Sequence, residues 1–417
     1  MRRLQPEEGL AFVRSVRIPF LDPFHGDRVQ QLRDERAART LETDRAWVAE
    51  ADGRFVANAC IASLDLTLPA APGQEAPVVA FAGVSAVGVH PTHRRRGLLR
   101  QLMARMLDDA RSRGEPFAGL LASESVIYGR FGFGHATTAQ ELTIDRRDAA
   151  FLGPVPELDL RIVSGPGEAR EILPSLFDRQ RRRRAGEPSR SAQAWDHALE
   201  ESAEHRDGAM GLMHAVCAEG YVSYRVHEGR VMSGERDRAV VEELRGLTPE
   251  VEAALWRYVF DVDLVGEVTA RRRPVDEPLR WRLADPRRLR VTSVDDRLWV
   301  RILDVPAALE ARGYRRAGRV VLEVVPPRDA LDGRADGAPG RWVLDAGPDG
   351  ASCRAARRGE DADVRLGVAD LGSLYLGGFS AFELAAGGRA EELRPGGLDA
   401  ADALMAAAPK PLTGTGF

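Results

Sequence analysis

The feature that most constrains the fold is an apolar stretch that runs through an arginine-rich turn into an amphipathic helix. Val84–Val89 is small and β-branched, which favours a strand, and Pro91 ends it. From Leu98 onward, apolar side chains recur at helical spacing. The sequence therefore predicts a strand, a turn at residues 90–97 and a helix that closes at Gly114.

The elements around this unit predict a layer that mixes strands and helices. Residues 46–58 favour a hairpin with its turn at Asp52-Gly53. Phe117–Ala122 is a short apolar strand, and a short helix opens at Ser123–Ser125 and ends near Gly129. The amphipathic helix then connects two neighbouring strands, which is the arrangement of an α/β layer.

Two changes in composition divide the chain into three parts. Glycine and proline cluster at residues 153–167, and a charged stretch covers residues 285–290. Between them the chain again mixes strands and helices, but no second arginine-rich turn follows the strands. The sequence thus predicts units over residues 1–152, 153–287 and 288–417.

Composition excludes several classes of protein. Basic and acidic residues number 59 and 63, for a net charge of −4, which disfavours general binding to nucleic acid or anionic membranes. The arginine runs 181–184 and 271–273 are interpreted as solvated surface. Lys410 is the one lysine, so a P-loop lysine is excluded. Three widely spaced cysteines, with no leader or apolar span in evidence, favour the cytoplasm and no membrane.

The turn itself has the chemistry of a diphosphate site. The start of a helix offers unpaired N–H groups and the positive end of the helix dipole. Gly97 lets a phosphate approach the backbone, and Arg94, Arg95 and Arg96 add donors and positive charge. Neither GxxxxGK[ST] nor GxGxxG occurs, so the chain lacks the known fingerprints of P-loop and Rossmann sites.

These residues carry a resemblance to a known family. R-x-x-G-x-x at Arg94–Leu99 resembles motif A of the GNAT N-acetyltransferases, and SESVIYGRFGF at Ser123–Phe133 resembles a later motif of that family. SAVGVHPTHRRRGLLRQLM together with IYGRFGFGHA resembles more narrowly the Eis (enhanced intracellular survival) family of bacterial acetyltransferases. The likeness extends to length, three-part layout and a C-terminal phenylalanine.

The resemblance implies a fold and a cofactor site. The fold class would be α/β (α+β): two tandem GNAT-type domains, the second without the cofactor motif, followed by a sterol-carrier-protein-like domain. Acetyl-CoA would lie along a splayed pair of strands as co-substrate, and no metal site is expected. The implied cofactor-binding residues are Val87, Gly88, Val89, Arg95, Arg96, Gly97, Leu98, Leu99, Arg100, Ser123 and Glu124.

The resemblance also implies the catalytic groups. Tyr128 would be the acid, because a phenol can protonate a leaving thiolate without being ionised itself. The base would be the α-carboxylate of Phe417, in a tail whose glycines let it thread. The alternative bases are histidines: His25, His90, His93 and His135.

The acceptor is less constrained than the cofactor. The resemblance implies a primary amine on an aminoglycoside or other polyamine, acetylated at one or several positions by a cytoplasmic homohexamer. Gly416 departs from this pattern because such substrates favour nearby acids. Asp22, Asp27 and Asp34 could supply that charge instead. A peptide-lysine acetyltransferase and an acyl-CoA or lipid-binding module remain as alternatives.

Overall fold

A computed structural model describes residues 1–21, 28–200, 206, 208–229, 236–326 and 338–417. Its helices are α1 Gly9–Phe20, α2 Arg28–Thr40, α3 Leu98–Ser112, α4 Ser125–Tyr128, α5 Pro166–Arg181, α6 Ala192–Ala198, α7 Pro249–Asp261, α8 Leu279–Arg282, α9 Val305–Ala311, α10 Val368–Tyr375, α11 Ala381–Ala386 and α12 Gly397–Met405. Its strands are β1 Arg2–Arg3, β2 Ala46–Ala51, β3 Arg54–Thr67, β4 Val78–Val89, β5 Phe117–Leu121, β6 Gly134–His135, β7 Thr138–Asp145, β8 Arg161–Ser164, β9 Met213–Cys217, β10 Gly220–His227, β11 Asp237–Gly246, β12 Val265–Pro274, β13 Arg290–Asp296, β14 Leu298–Ile302, β15 Gly318–Val325, β16 Gly340–Gly347, β17 Gly350–Ala355, β18 Val364–Gly367 and β19 Ala390–Glu392.

The first sheet contains the predicted hairpin and strands, and the predicted connecting helix packs against it. Its strand order is β1-β2-β3-β4-β5-β14-β6, with β3 antiparallel to β4 and β4 parallel to β5. Helix α3 makes the connection between β4 and β5. It buries Leu102, Met103, Met106 and Leu107 completely against one face of the sheet. The prediction of a helix joining two neighbouring strands is confirmed.

The first two sheets exchange strands, which the sequence did not indicate. The second sheet has the order β13-β7-β12-β11-β10-β9-β8, so β7 leaves the first sheet and pairs with β12 and β13. In return, β14 inserts between β5 and β6 of the first sheet. The sheets do not follow the predicted boundaries, because β7 precedes residue 152 and β13 follows residue 287, yet both belong to the second sheet. The ranges 1–152, 153–287 and 288–417 therefore remain a proposal about domains.

The third unit shares its core with the first sheet. A sheet of order β17-β16-β15-β18-β19 packs with α9, α10 and α12. One apolar cluster joins Leu322 and Tyr375 of this unit to Phe81 and Phe117 of the first sheet, all fully buried. The face of the first sheet opposite α3 is therefore covered by the third unit, from which the C-terminal tail emerges.

The two arginine runs are only partly solvated. Arg182 and Arg183 are exposed as predicted, but Arg181 is buried and donates to Thr67 Oγ1 over 3.3 Å. Arg273 is also buried, with Glu277 Oε2 2.7 Å from its Nε. Ion pairing explains the difference, because a guanidinium can be buried when a carboxylate or carbonyl accepts its hydrogen bonds. Among the described residues, no helix has the length and apolar character needed to cross a membrane.

Candidate active site

Two parallel strands of the first sheet diverge and leave a gap between them. β4 and β5 pair at Ala82–Ala118 and Gly83–Gly119, and their register ends there. β4 then runs on to Val89, whereas β5 ends at Leu121. The edges of this gap carry backbone groups that no neighbouring strand occupies, so an extended ligand could pair with them.

A bulge in β4 widens the divergence. Ala86 has a φ of +52°, in the left-handed region, and the register to β3 shifts between Asn58 and Cys60. The Asn58 side-chain amide donates a 2.5 Å hydrogen bond to the carbonyl oxygen of Ala86. Because this bond satisfies a carbonyl that the bulge removes from the ladder, the bend is held in place.

Beyond the bulge, β4 directs alternate backbone amides into the gap. The His90 N–H donates to the Val56 carbonyl of β3 over 2.8 Å. By the alternation of an antiparallel ladder, Gly88 then faces β3, while Val87 and Val89 face the gap. Gly88 is buried, and a Cβ there would lie 2.8 Å from the ring of Pro19. The three predicted backbone partners therefore lie together, with two amides turned toward the gap.

The turn after β4 concentrates positive charge at the start of α3. Gly97 precedes the helix with a φ of +75°, and no side chain caps the first turn. Arg94 and Arg95 are exposed and have no carboxylate partner among the described residues. Arg96 donates to a carbonyl within the turn over 3.3 Å. Free N–H groups and guanidinium groups thus converge on solvent, an arrangement suited to a diphosphate.

The other predicted cofactor residues flank the same gap. Leu98 and Leu99 pack half-buried against the core under α3, and Arg100 is exposed beside them. Ser123 and Glu124 are exposed in the link between β5 and α4, on the other side of the gap. The structure thus distributes the predicted set along both edges of the gap and around its open end.

Tyr128 is a buried phenol at the end of α4. It packs with Val84, Leu120 and Phe133 on the α3 face of the sheet, and 6% of its surface is exposed. Burial raises the pKa of Tyr128 above its ordinary value, a hydrogen bond with Ser123 opposes the rise, and the charge of Glu124 adds to it. The phenol therefore keeps its proton through the neutral pH range and can serve as a proton donor.

The C-terminal tail reaches the gap from the opposite face. Ser85 Oγ donates to the main-chain oxygen of Phe417 over 3.0 Å. The Phe417 ring meets Phe81 edge-on at 5.8 Å between centroids. A Cβ built on Gly83 would lie 3.0 Å from the Phe417 ring, and one built on Gly416 would lie 3.9 Å from Leu121. The last two residues therefore lie beside both β4 and β5, on the face of the sheet opposite α3.

The alternative bases are less suitable. His90 and His93 are occupied in the turn, each with Nδ1 within 2.8 Å of Thr92 Oγ1. His135 stacks on Trp299 and bonds the Thr137 carbonyl; burial lowers its pKa. His25 lies outside the described residues, as do Asp22 and Asp27.

The structure overturns the suggestion that Asp34 offers charge to a substrate. Asp34 is buried, and its carboxylate lies 2.6 Å from Arg17 Nη2 and 3.6 Å from Arg14 Nε. Two guanidinium groups already balance its charge, so a cationic ligand would gain little from it. The sequence could not show this, because the pairing depends on how α1 packs against α2.

Comparisons with known proteins find matches to all three parts of the chain. GNAT acetyltransferase domain models match residues 1–136 and 186–302, and a sterol carrier protein domain matches residues 305–414. The N-acetyltransferase Eis of Mycobacterium tuberculosis is 38% identical over 366 residues, covering 85% of both chains. The chain belongs to the Eis family of GNAT N-acetyltransferases. Its predicted fold class, two GNAT domains followed by a sterol-carrier-like domain, is confirmed.

Further relatives extend the match across the chain. Crystalline Eis1 from Mycobacterium abscessus superposes with a TM-score of 0.85 at 31% identity, covering 99% of this chain and 98% of that one. An uncharacterized N-acetyltransferase of Streptomyces coelicolor is 39% identical over 361 residues, 84% of both chains. A GCN5-related N-acetyltransferase from Anabaena variabilis, 18% identical with a TM-score of 0.80, shares the fold. The Eis-family chain is thus an enzyme, and a purely lipid-binding role is set aside.

Proposed function

We propose that this Eis-family enzyme binds acetyl-CoA in the gap between β4 and β5 and transfers the acetyl group to a primary amine. The residues present suit such a ligand. The amides of Val87 and Val89 match the extended, amide-containing arm of the cofactor. The uncapped start of α3 and the arginines before it match its phosphates. The bound cofactor supplies an activated thioester.

Each end of the gap has its own role in this proposal. Residues 95–100 hold the pyrophosphate: Arg95 and Arg96 by charge, Gly97 by open backbone, and Leu98, Leu99 and Arg100 by presenting the first turn of α3. Ser123 and Glu124 line the thiol end, close in sequence to Tyr128. Because both ends are fixed by the same sheet, the reacting carbon has a defined position.

Tyr128 and Phe417 carry the proton transfers in this proposal. The Phe417 α-carboxylate takes a proton from the attacking amine, and the Tyr128 phenol gives its proton to the leaving sulfur as the C–S bond breaks and the N–C bond forms. The observation that carries the assignment is the hydrogen bond from Ser85 Oγ to Phe417, which fixes a main-chain oxygen of the tail beside the gap.

The acceptor proposed is a polyamine such as an aminoglycoside, acetylated at one or more amines. A cavity of about 600 Å³ adjoins the tail at Gly414–Gly416, large enough for an acceptor of this size. Glu200, Glu242 and Glu252 line it; because Glu200 and Glu242 already pair with arginines, ammonium groups would compete with those guanidinium groups for the carboxylate oxygens.

A peptide lysine is the second candidate, and one observation favours it. The same cavity is lined by more arginines than glutamates. Arg183 is exposed there and has no ion-pair partner among the described residues, so an acceptor with a carboxylate beside its amine would gain a favourable contact. An acidic peptide that contains lysine has this chemistry.

A thiol-release assay with acetyl-CoA tests both acceptors. The panel contains an aminoglycoside such as tobramycin, a linear polyamine, and lysine peptides of acidic and basic composition. Mass spectrometry of the product counts the acetyl groups added. Turnover of the aminoglycoside above all peptides supports the polyamine assignment, and turnover of the acidic peptide alone replaces it. No thiol release with any amine, from protein that binds acetyl-CoA, contradicts the proposed reaction.

Two expectations about the molecule in the cell stay predictions. The resemblance implies a homohexamer, and composition favours the cytoplasm. Light scattering during gel filtration measures the first, and cell fractionation measures the second.

A further inference from the structure

The tail reaches the gap along a buried track on the second fold. Leu412 N–H donates to the Ala185 carbonyl over 2.9 Å, and Thr413 Oγ1 donates to the Gly186 carbonyl over 2.6 Å. Thr413 is fully buried and Thr415 is 3% exposed. Chain ends normally fray, so this degree of burial requires specific partners.

Glu187 is the main partner of the tail. Its two carboxylate oxygens accept the backbone N–H groups of Gly414, over 3.1 Å, and Thr415, over 2.9 Å. Glu187 is 1% exposed. Burial by itself would raise the pKa of its carboxyl, but Arg245, Arg190 and the bond to Thr415 hold that pKa below its ordinary value. The carboxylate therefore stays ionised at neutral pH and accepts both bonds.

A four-member ionic network fixes Glu187. Arg245 Nη2 lies 2.8 Å from Glu187, and its Nε lies 2.5 Å from Glu243. Arg190 pairs with Glu243 over 2.6 Å and donates from Nε to Thr415 Oγ1 over 2.9 Å. Two carboxylates and two guanidinium groups balance in charge, and hydrogen bonds join Arg245 to both carboxylates and Arg190 to Glu243, which limits the cost of burial.

The network stands on the second fold's counterpart of β4. β11 pairs in parallel with β12 as far as Val241–Ala270 and then continues paired with β10 on its other side, as β4 continues paired with β3 after Gly83. The part of β11 beyond its pairing with β12 carries Glu243 and Arg245. In place of an arginine-rich turn, α7 follows directly, with Thr248 capping it and acidic residues in its first turn. This charge is unfavourable for a phosphate.

We propose that Glu187, held by Arg245 and Arg190 in the buried network on β11, is a positioning residue that orders the C-terminal tail and aims the Phe417 carboxylate at the gap between β4 and β5. The second GNAT fold thereby serves the active site of the first. The catalytic part of this inference rests on the proposed role of that carboxylate. Thr415 lies two residues from Phe417, about 7 Å of extended chain, so movement at Thr415 is transmitted to the carboxylate.

Glu187→Gln tests the clamp, the pair of hydrogen bonds by which Glu187 holds the backbone of Gly414 and Thr415. Glutamine has one acceptor oxygen, so it cannot accept both N–H groups, and it leaves Arg245 without its full charge partner. We expect kcat to fall about tenfold or more, with KM for acetyl-CoA nearly unchanged. Glu187→Asp keeps the charge and should restore part of kcat. Glu277→Gln is the matched control, because it removes another buried ion pair of the same fold that does not touch residues 412–417.

A second readout measures the tail without activity. Carboxypeptidase release of Phe417, followed by mass, should be faster in Glu187→Gln than in the wild type or Glu277→Gln. Thr415→Val loses only the hydroxyl that Arg190 contacts, so the rate of Phe417 release should rise less in this variant. It keeps the test decisive if Glu187→Gln does not fold. Equal release in Glu187→Gln and Glu277→Gln would overturn the clamp.

A double variant separates the clamp from the carboxylate base. In a chain extended by one residue after Phe417, Glu187→Gln should cause no further loss of kcat, because the base is already displaced. A further loss of the same size would assign Glu187 a general structural role and overturn the positioning proposal. If the extension alone leaves kcat intact, the carboxylate base is wrong, and faster carboxypeptidase release would still establish Glu187 as the anchor of the tail.

Discussion

At the scale of the residue, burial determines the protonation state of Tyr128, the proposed acid. Its raised pKa keeps the phenol protonated, so the acid form is present across the neutral range. We expect Tyr128→Phe to lower kcat by ~10²–10⁴, with little change in the Kd of acetyl-CoA, because the proton is needed only as the thiolate leaves. Rapid-mixing kinetics and calorimetry measure the two quantities. Near wild-type turnover of a good amine would mean that Tyr128 is a packing residue.

The sign of the pKa shift gives a pH dependence for the same residue. A raised pKa moves loss of the proton to higher pH, so activity that depends on the phenol should persist above the ordinary tyrosine value of about 10. The alkaline limb of the kcat profile should disappear in Tyr128→Phe. A limb that remains in the variant would belong to another group.

Gly83 is the residue whose missing side chain gives the tail its place. A Cβ there would lie 2.9 Å from Leu64 Cδ1 and 3.0 Å from the Phe417 ring. We expect Gly83→Ala to displace the ring and lower kcat by about 10- to 100-fold, because small misplacements of a reacting group are costly. Gly153→Ala is the control, since nothing lies within 4 Å of a Cβ at that position. Equal rates in the two variants would contradict a fixed tail.

At the scale of elements, the proposed diphosphate site at the start of α3 gives a direct prediction about acetyl-CoA affinity. Arg95→Ala removes a guanidinium that has no carboxylate partner within the described part of the chain, and Gly97→Asp places a carboxylate where the diphosphate is proposed to lie. Each lost charge-assisted contact should weaken acetyl-CoA binding by roughly 1.5–3 kcal/mol in calorimetry.

Matched variants isolate the charge at this helix start. Gly97→Asn has nearly the shape of Asp and tolerates the left-handed backbone, so it should bind more tightly than Gly97→Asp. Arg105→Ala removes an exposed arginine two turns further along α3 and should leave the affinity unchanged. Unchanged affinity in both Arg95→Ala and Gly97→Asp would place the cofactor elsewhere.

Local patterns predicted the elements around the gap but not the strand exchange. β4, α3 and β5 follow from apolar runs, helical spacing and a glycine that ends the helix, all between Val78 and Leu121. The sequences of β7 and β14 are compatible with either sheet, because the alternation of apolar and polar residues fixes which face of a strand is buried but not which strand pairs with it. Their placement depends on contacts between distant parts of the chain.

At the scale of the molecule, the proposed active site draws on all three units. The first supplies the gap, the third carries the tail, and the second holds Gly414 and Thr415 through Glu187. The glycines and the terminal phenylalanine pointed to an ordered tail by resemblance, but Glu187 and Thr415 are 228 positions apart. No pattern in the sequence connects them, and Glu187 alone is indistinguishable from a surface acid.

The arrangement of the whole molecule predicts that lengthening the chain at its C-terminus, with all three units unchanged, will lower catalysis sharply. One residue added after Phe417 converts its carboxylate into an amide, which removes a base without altering any side chain. We expect kcat to fall by about two orders of magnitude or more, while acetyl-CoA affinity and thermal unfolding stay close to those of the parent. Deleting Phe417 should also lower kcat, and it additionally removes the ring that packs on Phe81.

Phe417→Leu separates the ring from the carboxylate. Leucine keeps the α-carboxylate and part of the apolar contact, so it should retain more activity than the deletion, and its acid limb in a kcat/KM profile should match the parent's. Intact mass confirms in each preparation that the intended residue is the last one. Full activity in the extended enzyme would show that the hydrogen bond from Ser85 holds a structural anchor and not a base, and His135 would become the next described group to test.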